Sequence, residues 1–263
     1  RAMAAFGGQP CLVEARVAIR REVAVLVARS ATGEVAAFPA VEQAFHPTAN
    51  LVEFLFSPAS LTAAEAAAAE TLARRAAEAL GIVGLLAVEL FQDETGAFLI
   101  NEMAPRPHNS GHHTIEACHT SQFEQHLRAI LGLPLGSTAL RTPAVMVNVL
   151  GAPGHAGPPR YVGVEDVLAL PGVSLHLYGK KETRPYRKMG HVTVADAGLA
   201  AAQARARQVQ ALLRVEAAPQ PEDHDRQGRP DEEGNAPGSV AERRFAERPL
   251  QYDQQGERQQ LAR

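Results

Sequence analysis

Tryptophan is absent from this chain, aromatic residues make up only 5% of it, and cysteine occurs twice, at positions 11 and 118. Two thiols are too few for a disulfide framework, and that scarcity points to a reducing compartment. No run of about 18 apolar residues appears, so the sequence offers no membrane-spanning helix. The opening stretch RAMAAFGGQPCLVEAR lacks the basic start and apolar middle of a signal peptide. With 26 Lys+Arg against 29 Asp+Glu, a net charge of −3 leaves no footprint for nucleic acid. These absences predict a soluble cytoplasmic protein with no nucleic-acid or membrane partner, long enough at 263 residues for one or two domains.

Lysine is also scarce. Only Lys180, Lys181 and Lys188 occur, all within nine positions and beside Arg184 and Arg187. Such a run reads either as a solvated face or as a phosphate cradle. Charge is uneven in a second way. Residues 216–263 hold eleven acids and seven bases, which leaves the first 215 residues near +1. That stretch has only Val240, Phe245, Leu250 and Leu261 as large aliphatic or Phe anchors, too little apolar surface to offset its ordering entropy. It is expected to be a disordered tail.

Turn chemistry organises the rest. EVAVLVAR (22–29) and EVAAFP (34–39) flank Ala31-Thr32-Gly33, a hairpin signal, and LVEFLF (51–56) is a further strand. Residues 61–80 are rich in Ala, Leu, Glu and Arg, a helix with Ser60 or Thr62 to cap it and Gly81 to end it. GLLAVELFQ (84–92) and AFLINE (97–102) flank Asp93-Glu94-Thr95-Gly96, a second hairpin. Helical spacing returns at 121–131, strands at 144–150, 173–178 and 191–195, and a last helix at 198–214. Without strict βαβ alternation, this pattern predicts an α+β fold with antiparallel sheets.

Glu89 and Glu102 interrupt otherwise apolar strands, where an unpaired carboxylate is costly to bury. If Thr95 opposes Gly96, Glu89 falls opposite Glu102, about 5 Å away at Cβ. Two facing carboxylates with Asn101 suit Mg²⁺; the alternative is an exposed edge with two ordinary glutamates. The loop that follows, INEMAPRPHNSGHHT (100–114), brings Arg106, His108, Asn109, Ser110, His112 and His113 into a dense polar stretch. Its histidine spacing fits no usual structural zinc pattern, and it reads as a cleft loop or as an ordinary surface loop.

The string NEMAPRPHNSGHHTIEACHTSQFEQHLRAILGLPL (101–135) resembles the signature region of the 5-(carboxyamino)imidazole ribonucleotide synthase family of ATP-grasp ligases. AVELF (87–91), PAVEQAFH (39–46) and LYGKKETRPYRKMGHVTV (177–194) extend the resemblance over about residues 5–205. It implies the C-terminal part of an ATP-grasp module (1–135), a small β-rich C-terminal domain (136–215) and the tail (216–263). It also implies a carbon–nitrogen ligase of purine biosynthesis that uses ATP and Mg²⁺, with Mn²⁺ as a substitute, to make carboxyphosphate from bicarbonate and carboxylate 5-aminoimidazole ribonucleotide.

The same resemblance assigns roles residue by residue. Glu89 and Glu102 match the metal-holding glutamates, and Asn101 and Glu102 contact ATP. Glu14, Ala15, Arg16 and Val17 match the adenine hinge, Glu22 the ribose carboxylate, and His46 the histidine of the nucleotide site. Arg106, His108, Asn109 and Ser110 match the loop around bicarbonate and the carboxylated amine; Lys180, Arg187 and Lys188 match the group for the substrate's phosphate. A homodimer is compatible with this reading. The family's N-terminal domain and glycine-rich phosphate loop have no counterpart here, so the segment alone is expected to be inactive. Tyr186 stands where members commonly have Gly. A formate- or biotin-using ATP-grasp ligase, or a noncatalytic nucleotide-binding or assembly module, are the rival readings. The GKKETRPYRKMGH segment (179–191) argues against the first.

Overall fold

Val- and Leu-rich stretches fold into a single broad sheet in the computed structural model, which describes residues 7, 9–10, 12–45 and 51–219. Its strands are β1 (Ile19–Arg29), β2 (Val35–Ala37), β3 (Val41–Phe45), β4 (Val52–Ser57), β5 (Gly84–Asp93), β6 (Phe98–Ala104), β7 (Ala144–Leu150), β9 (Val173–Leu177) and β10 (Lys188–Ala195). A separate two-stranded ribbon joins β8 (Pro159–Val162) to β11 (Arg214–Ala217). The helices are α1 (Ala63–Ala79), α2 (Thr114–Ala117), α3 (Gln122–Ile130), α4 (Val164–Leu168) and α5 (Leu199–Leu212), with a 3₁₀ turn at Asn109–Gly111.

The sheet runs β6-β5-β1-β3-β4-β7-β10-β9, with β2 paired to β1, and all these strand pairings are antiparallel. The α+β expectation holds. The β4–β7 pairing, from Phe54↔Val147 to Ser57↔Ala144, carries the ladder across the expected boundary at 135/136.

Helix α1 starts at a capping box: the Thr62 side chain accepts from the Glu65 N–H, while Glu65 accepts from the Thr62 N–H at 2.8 Å. Its buried stripe is Ala69, Ala73 and Ala77, spaced by four, so the helix settles close onto Val23, Val25 and Val27 of β1 and Leu86 and Val88 of β5. Strand β1 is buried on both faces; Leu26 and Ala28 pack against Phe38 and Leu85 on the other side. In the second half, Ala202, Ala206 and Val209 of α5 cover Val145 and Val147 of β7 and Val192 and Val194 of β10. Cys118 is buried, and burial pushes its thiol up to about 12, as suits an inert packing residue. Cys11 lies outside the described residues. No helix among the described residues is long and apolar enough to cross a membrane.

Two boundaries need correction. The last helix stops at Leu212, and the expected tail does not begin at 216, because Glu216 and Ala217 pair with Arg160 and Pro159 in β11–β8. Fully buried Val215 anchors that strand, and a composition count over a long window averages such a short element away. Residues 220–263 lie outside the described residues.

Tyr186 has φ +62°, in the left-handed region that costs a non-glycine residue about 1–2 kcal/mol. That conformation explains why glycine suits the position. Tyr186→Gly should therefore unfold at higher urea than Tyr186→Ala, by about 1 kcal/mol, since both lose the ring and only one keeps the strain. Equal midpoints would count against a strained backbone there.

Candidate active site

The β5–β6 hairpin closes through Asp93, whose Oδ1 accepts from Thr95 N–H at 2.9 Å, Thr95 hydroxyl at 2.7 Å and Ala97 N–H at 3.0 Å. Gly96 takes φ +89°, which the turn requires. Pairing then runs Gln92↔Phe98, Phe91↔Leu99 and Leu90↔Ile100, one residue off the register expected from the turn. A β-bulge at Asn101 shifts it back, so Glu89 does face Glu102. The expected pair is right because two offsets cancel.

Glu89, Glu102 and His108 bring ligand atoms within 4.8 Å of one another. Two carboxylates suit a hard divalent cation such as Mg²⁺, and an imidazole beside them also accommodates Mn²⁺. Gln43 of β3 donates to Glu89 Oε1 at 2.8 Å and so orients it. Burial, and then the like charge of Glu89, raise the Glu22 carboxyl above the usual glutamate range. Glu22, Glu89, Glu102 and His108 line a cleft of about 460 Å³ that also holds Asn101, Asn109 and Lys188, with Ile19, Phe45 and Phe91 as apolar wall.

The loop after β6 is pinned from inside. Gln122, at the start of α3, accepts from the His108 N–H at 2.9 Å and donates to the His108 carbonyl at 2.8 Å. A Cβ on Gly111 would collide with Leu26 and with the Gln122 amide, so only glycine lets the loop lie this close to β1. His108 Nδ1 lies 2.9 Å from the Ser110 hydroxyl; burial first, then Arg106 and Lys188, push its pKa down to about 4. Asn109 donates to Asn148 Oδ1 at 2.8 Å, and its own Oδ1 accepts from Lys188 Nζ at 3.3 Å. Burial leads the causes that lower the Lys188 ammonium.

A second cleft of about 290 Å³ shares His108, Asn109 and Lys188 with the first and adds Arg106, Lys180 and Tyr178. One face therefore meets a carboxylate pair, the other a cluster of cations, and His108 and Asn109 form the wall between. A larger cavity of about 580 Å³ beside α1 has Glu70 as its charged lining residue and no basic group.

Of the expected residues, Glu22, Glu89, Asn101, Glu102, Arg106, His108, Asn109, Lys180 and Lys188 converge on these two clefts, with Ser110 buried behind His108. Glu14, Ala15 and Arg16 are exposed and Val17 half-buried in the segment before β1; the cleft wall begins at Ile19. Arg187 donates to the Glu182 carbonyl at 2.8 Å, and after burial its charge is the first that lowers the Lys180 ammonium. His46 lies outside the described residues. Gln43, Asn148 and Tyr178 were not anticipated. A polar residue inside an apolar strand, the signal that exposed Glu89, applies equally to Asn148 in AVMVNVL.

The ATP-grasp domain family matches residues 1–123, and the phosphoribosylaminoimidazole carboxylase C-terminal domain family matches residues 144–205. The chain is similar to N5-carboxyaminoimidazole ribonucleotide synthase of Synechococcus elongatus, 43% identical over 81% of this chain and 53% of that protein. The Mycobacterium leprae protein of the same name is 49% identical over 70% of this chain and 43% of its own length. The chain thus spans about half the length of the curated relatives it matches. Among solved structures, the Thermotoga maritima synthetase superposes with a TM-score of 0.72 at 49% identity, covering 77% of this chain and 54% of that one. The Aspergillus clavatus synthase, solved with ADP and 5-aminoimidazole ribonucleotide, gives 0.67 at 33% identity, covering 74% and 52%.

Proposed function

The chain belongs to the N5-carboxyaminoimidazole ribonucleotide synthase family of ATP-grasp proteins, and we propose that it takes part in the ATP-dependent carboxylation of 5-aminoimidazole ribonucleotide by bicarbonate. In this reading residues 1–135 are the ATP-grasp part, those from 136 to the end of β11 at Ala217 the small C-terminal domain, and the protein works in the cytoplasm. What carries it is the joining of the two clefts: a carboxylate pair that suits ATP-bound metal sits one side chain from a cation cluster that suits a ribonucleotide phosphate.

The residues divide the work accordingly. Glu22 holds the ribose hydroxyls, and the apolar wall takes the base. Glu89 and Glu102, with Asn101, hold the Mg²⁺, which when bound neutralises charge on the ATP phosphates. Arg106 and Lys188 bind bicarbonate and then the carboxyphosphate made when its oxygen attacks the γ-phosphorus and releases ADP. The exocyclic amine attacks the carboxyl carbon, phosphate leaves, and the amine gives up a proton that neutral His108 is able to accept. No protein nucleophile is required.

Lys180 anchors the substrate phosphate. In an enzyme carrying this segment, Lys180→Ala should raise KM for the ribonucleotide and lower kcat/KM about 10- to 150-fold, the loss of one charge-assisted contact. Bicarbonate-dependent ATP hydrolysis should survive better. Arg187→Ala, whose guanidinium already donates to the Glu182 backbone carbonyl, should cost less. A wild-type KM in Lys180→Ala would mean that the lysines are a solvated face.

A further inference from the structure

Asn148 is the one polar residue of β7 and is only 6% exposed, yet it lines neither of the two clefts. Burying an amide is costly unless each of its groups is bonded, and here each one is. Its Nδ2 donates to the Val52 carbonyl at 2.8 Å and to Asn109 Oδ1 at 3.3 Å. Its Oδ1 accepts from Asn109 Nδ2 at 2.8 Å.

The sheet supplies the anchor. The β4–β7 ladder reaches Phe54↔Val147, and two residues earlier on β4 the Val52 carbonyl is bonded by the Asn148 side chain. A backbone carbonyl only accepts, so this bond decides which way the Asn148 amide points. The polarity then passes on without a choice. Asn148 Oδ1 faces Asn109, which answers with Nδ2. Asn109 Oδ1 is left to accept from the second Asn148 hydrogen and from Lys188 Nζ, each at 3.3 Å. An amide oxygen has two lone pairs, one for each donor. Turned over, Asn109 would set N–H groups against another amide N–H and an ammonium.

We propose that Asn148 is a positioning residue: anchored on Val52, it sets the Asn109 amide, and through Asn109 Oδ1 it holds the Lys188 ammonium at the partition between the two clefts. The proposal rests on the functional reading above only for what Lys188 binds.

Three lysines make the whole chain its own reporter. With 15N-lysine incorporated, NMR of the side-chain ammonium groups is assigned through Lys180→Arg and Lys181→Arg. A hydrogen-bonded ammonium exchanges with water more slowly than a free one, so Lys188 should stand apart from exposed Lys181. Asn109→Ala and Asn148→Leu should each release the Lys188 signal, and the double variant no further, because both cut the same chain of bonds. Lys180, which donates to the Lys188 backbone carbonyl, should stay in place; a general loosening of the fold would move it too. If Asn148→Leu fails to fold, Asn148→Ser, too short to span Val52 and Asn109, takes its place. A wild-type Lys188 signal that behaves like Lys181, or one untouched by the Asn148 variant, would overturn the proposal.

Inorganic phosphate, standing in for the phosphate part of carboxyphosphate, is then titrated into the same samples. Asn148→Leu should bind it about two- to tenfold more weakly than wild type, the worth of one hydrogen bond. Equal affinity in the two would also overturn the proposal. A wild type that ignores phosphate, while its Lys188 signal still depends on Asn148, leaves the positioning role standing and removes the ligand assignment.

Discussion

Glu102→Gln, in an enzyme that carries this segment, should reduce bicarbonate-dependent ATP turnover about a thousandfold or more. Glutamine keeps the size of the side chain and its place opposite Glu89, so the hairpin and its bulge are undisturbed. What goes is one of two facing negative charges. A metal ion contributes several kcal/mol of charge stabilisation in phosphoryl transfer, and each 1.36 kcal/mol is tenfold in rate. The effect should exceed that of Lys180→Ala, because a metal ligand acts on the reacting phosphates and a remote phosphate contact only on substrate binding. ADP release at saturating ATP is the direct assay. Mn²⁺ binding to the isolated chain, followed by electron paramagnetic resonance, should weaken in parallel. Turnover within tenfold of wild type would show that Glu102 is no metal ligand.

Acid should unfold this protein early. Burial is the first cause that pushes His108, His112 and His113 down to about 4 and His191 to about 3. Unfolded imidazoles titrate near 6.5. Because the folded values lie below the unfolded one, this stability is fully present above about pH 6.5 and is lost as pH falls toward about 4. Within that window the unfolded chain binds up to four more protons, and each contributes about 1.4 kcal/mol per pH unit, roughly 5 kcal/mol for the four. A domain stability of about 5–15 kcal/mol does not withstand many such units. Urea unfolding between about pH 7.5 and pH 4.5 should show the midpoint collapsing, and His113→Phe should reduce the slope by about one proton. A midpoint unchanged from about pH 7 to pH 5 would mean that these rings are charged or solvated.

The parts of this fold that were legible in the sequence are those whose stability is local. Helix α1 announces itself through alanine content and a Thr62/Glu65 box, and the β5–β6 hairpin through Asp93 and Gly96. Strands β3, β8 and β11 and helix α4 have four or five residues each and owe their form to partners far along the chain, as when Glu22 pairs with Gln43. The site divides the same way. Glu89, Glu102 and the loop from Arg106 to Ser110 are neighbours on one hairpin, so spacing could find them. Gln43 and Asn148 arrive from β3 and β7 and Tyr178 from just past the end of β9, and no spacing rule states which strands will lie side by side.

The β4–β7 ladder fixes more than topology. Four consecutive backbone pairings join the strands that carry the carboxylates to those that carry the lysines, so the two clefts stand at a set gauge on one plate. A hydrogen-bonded ladder yields to twist far more readily than to shear, and it offers no hinge line between Glu89 and Lys188. Heat should therefore melt both halves in a single calorimetric transition. Any closure that shuts water away from a carboxyphosphate has to come from a cover descending on this plate, because the plate itself does not fold shut.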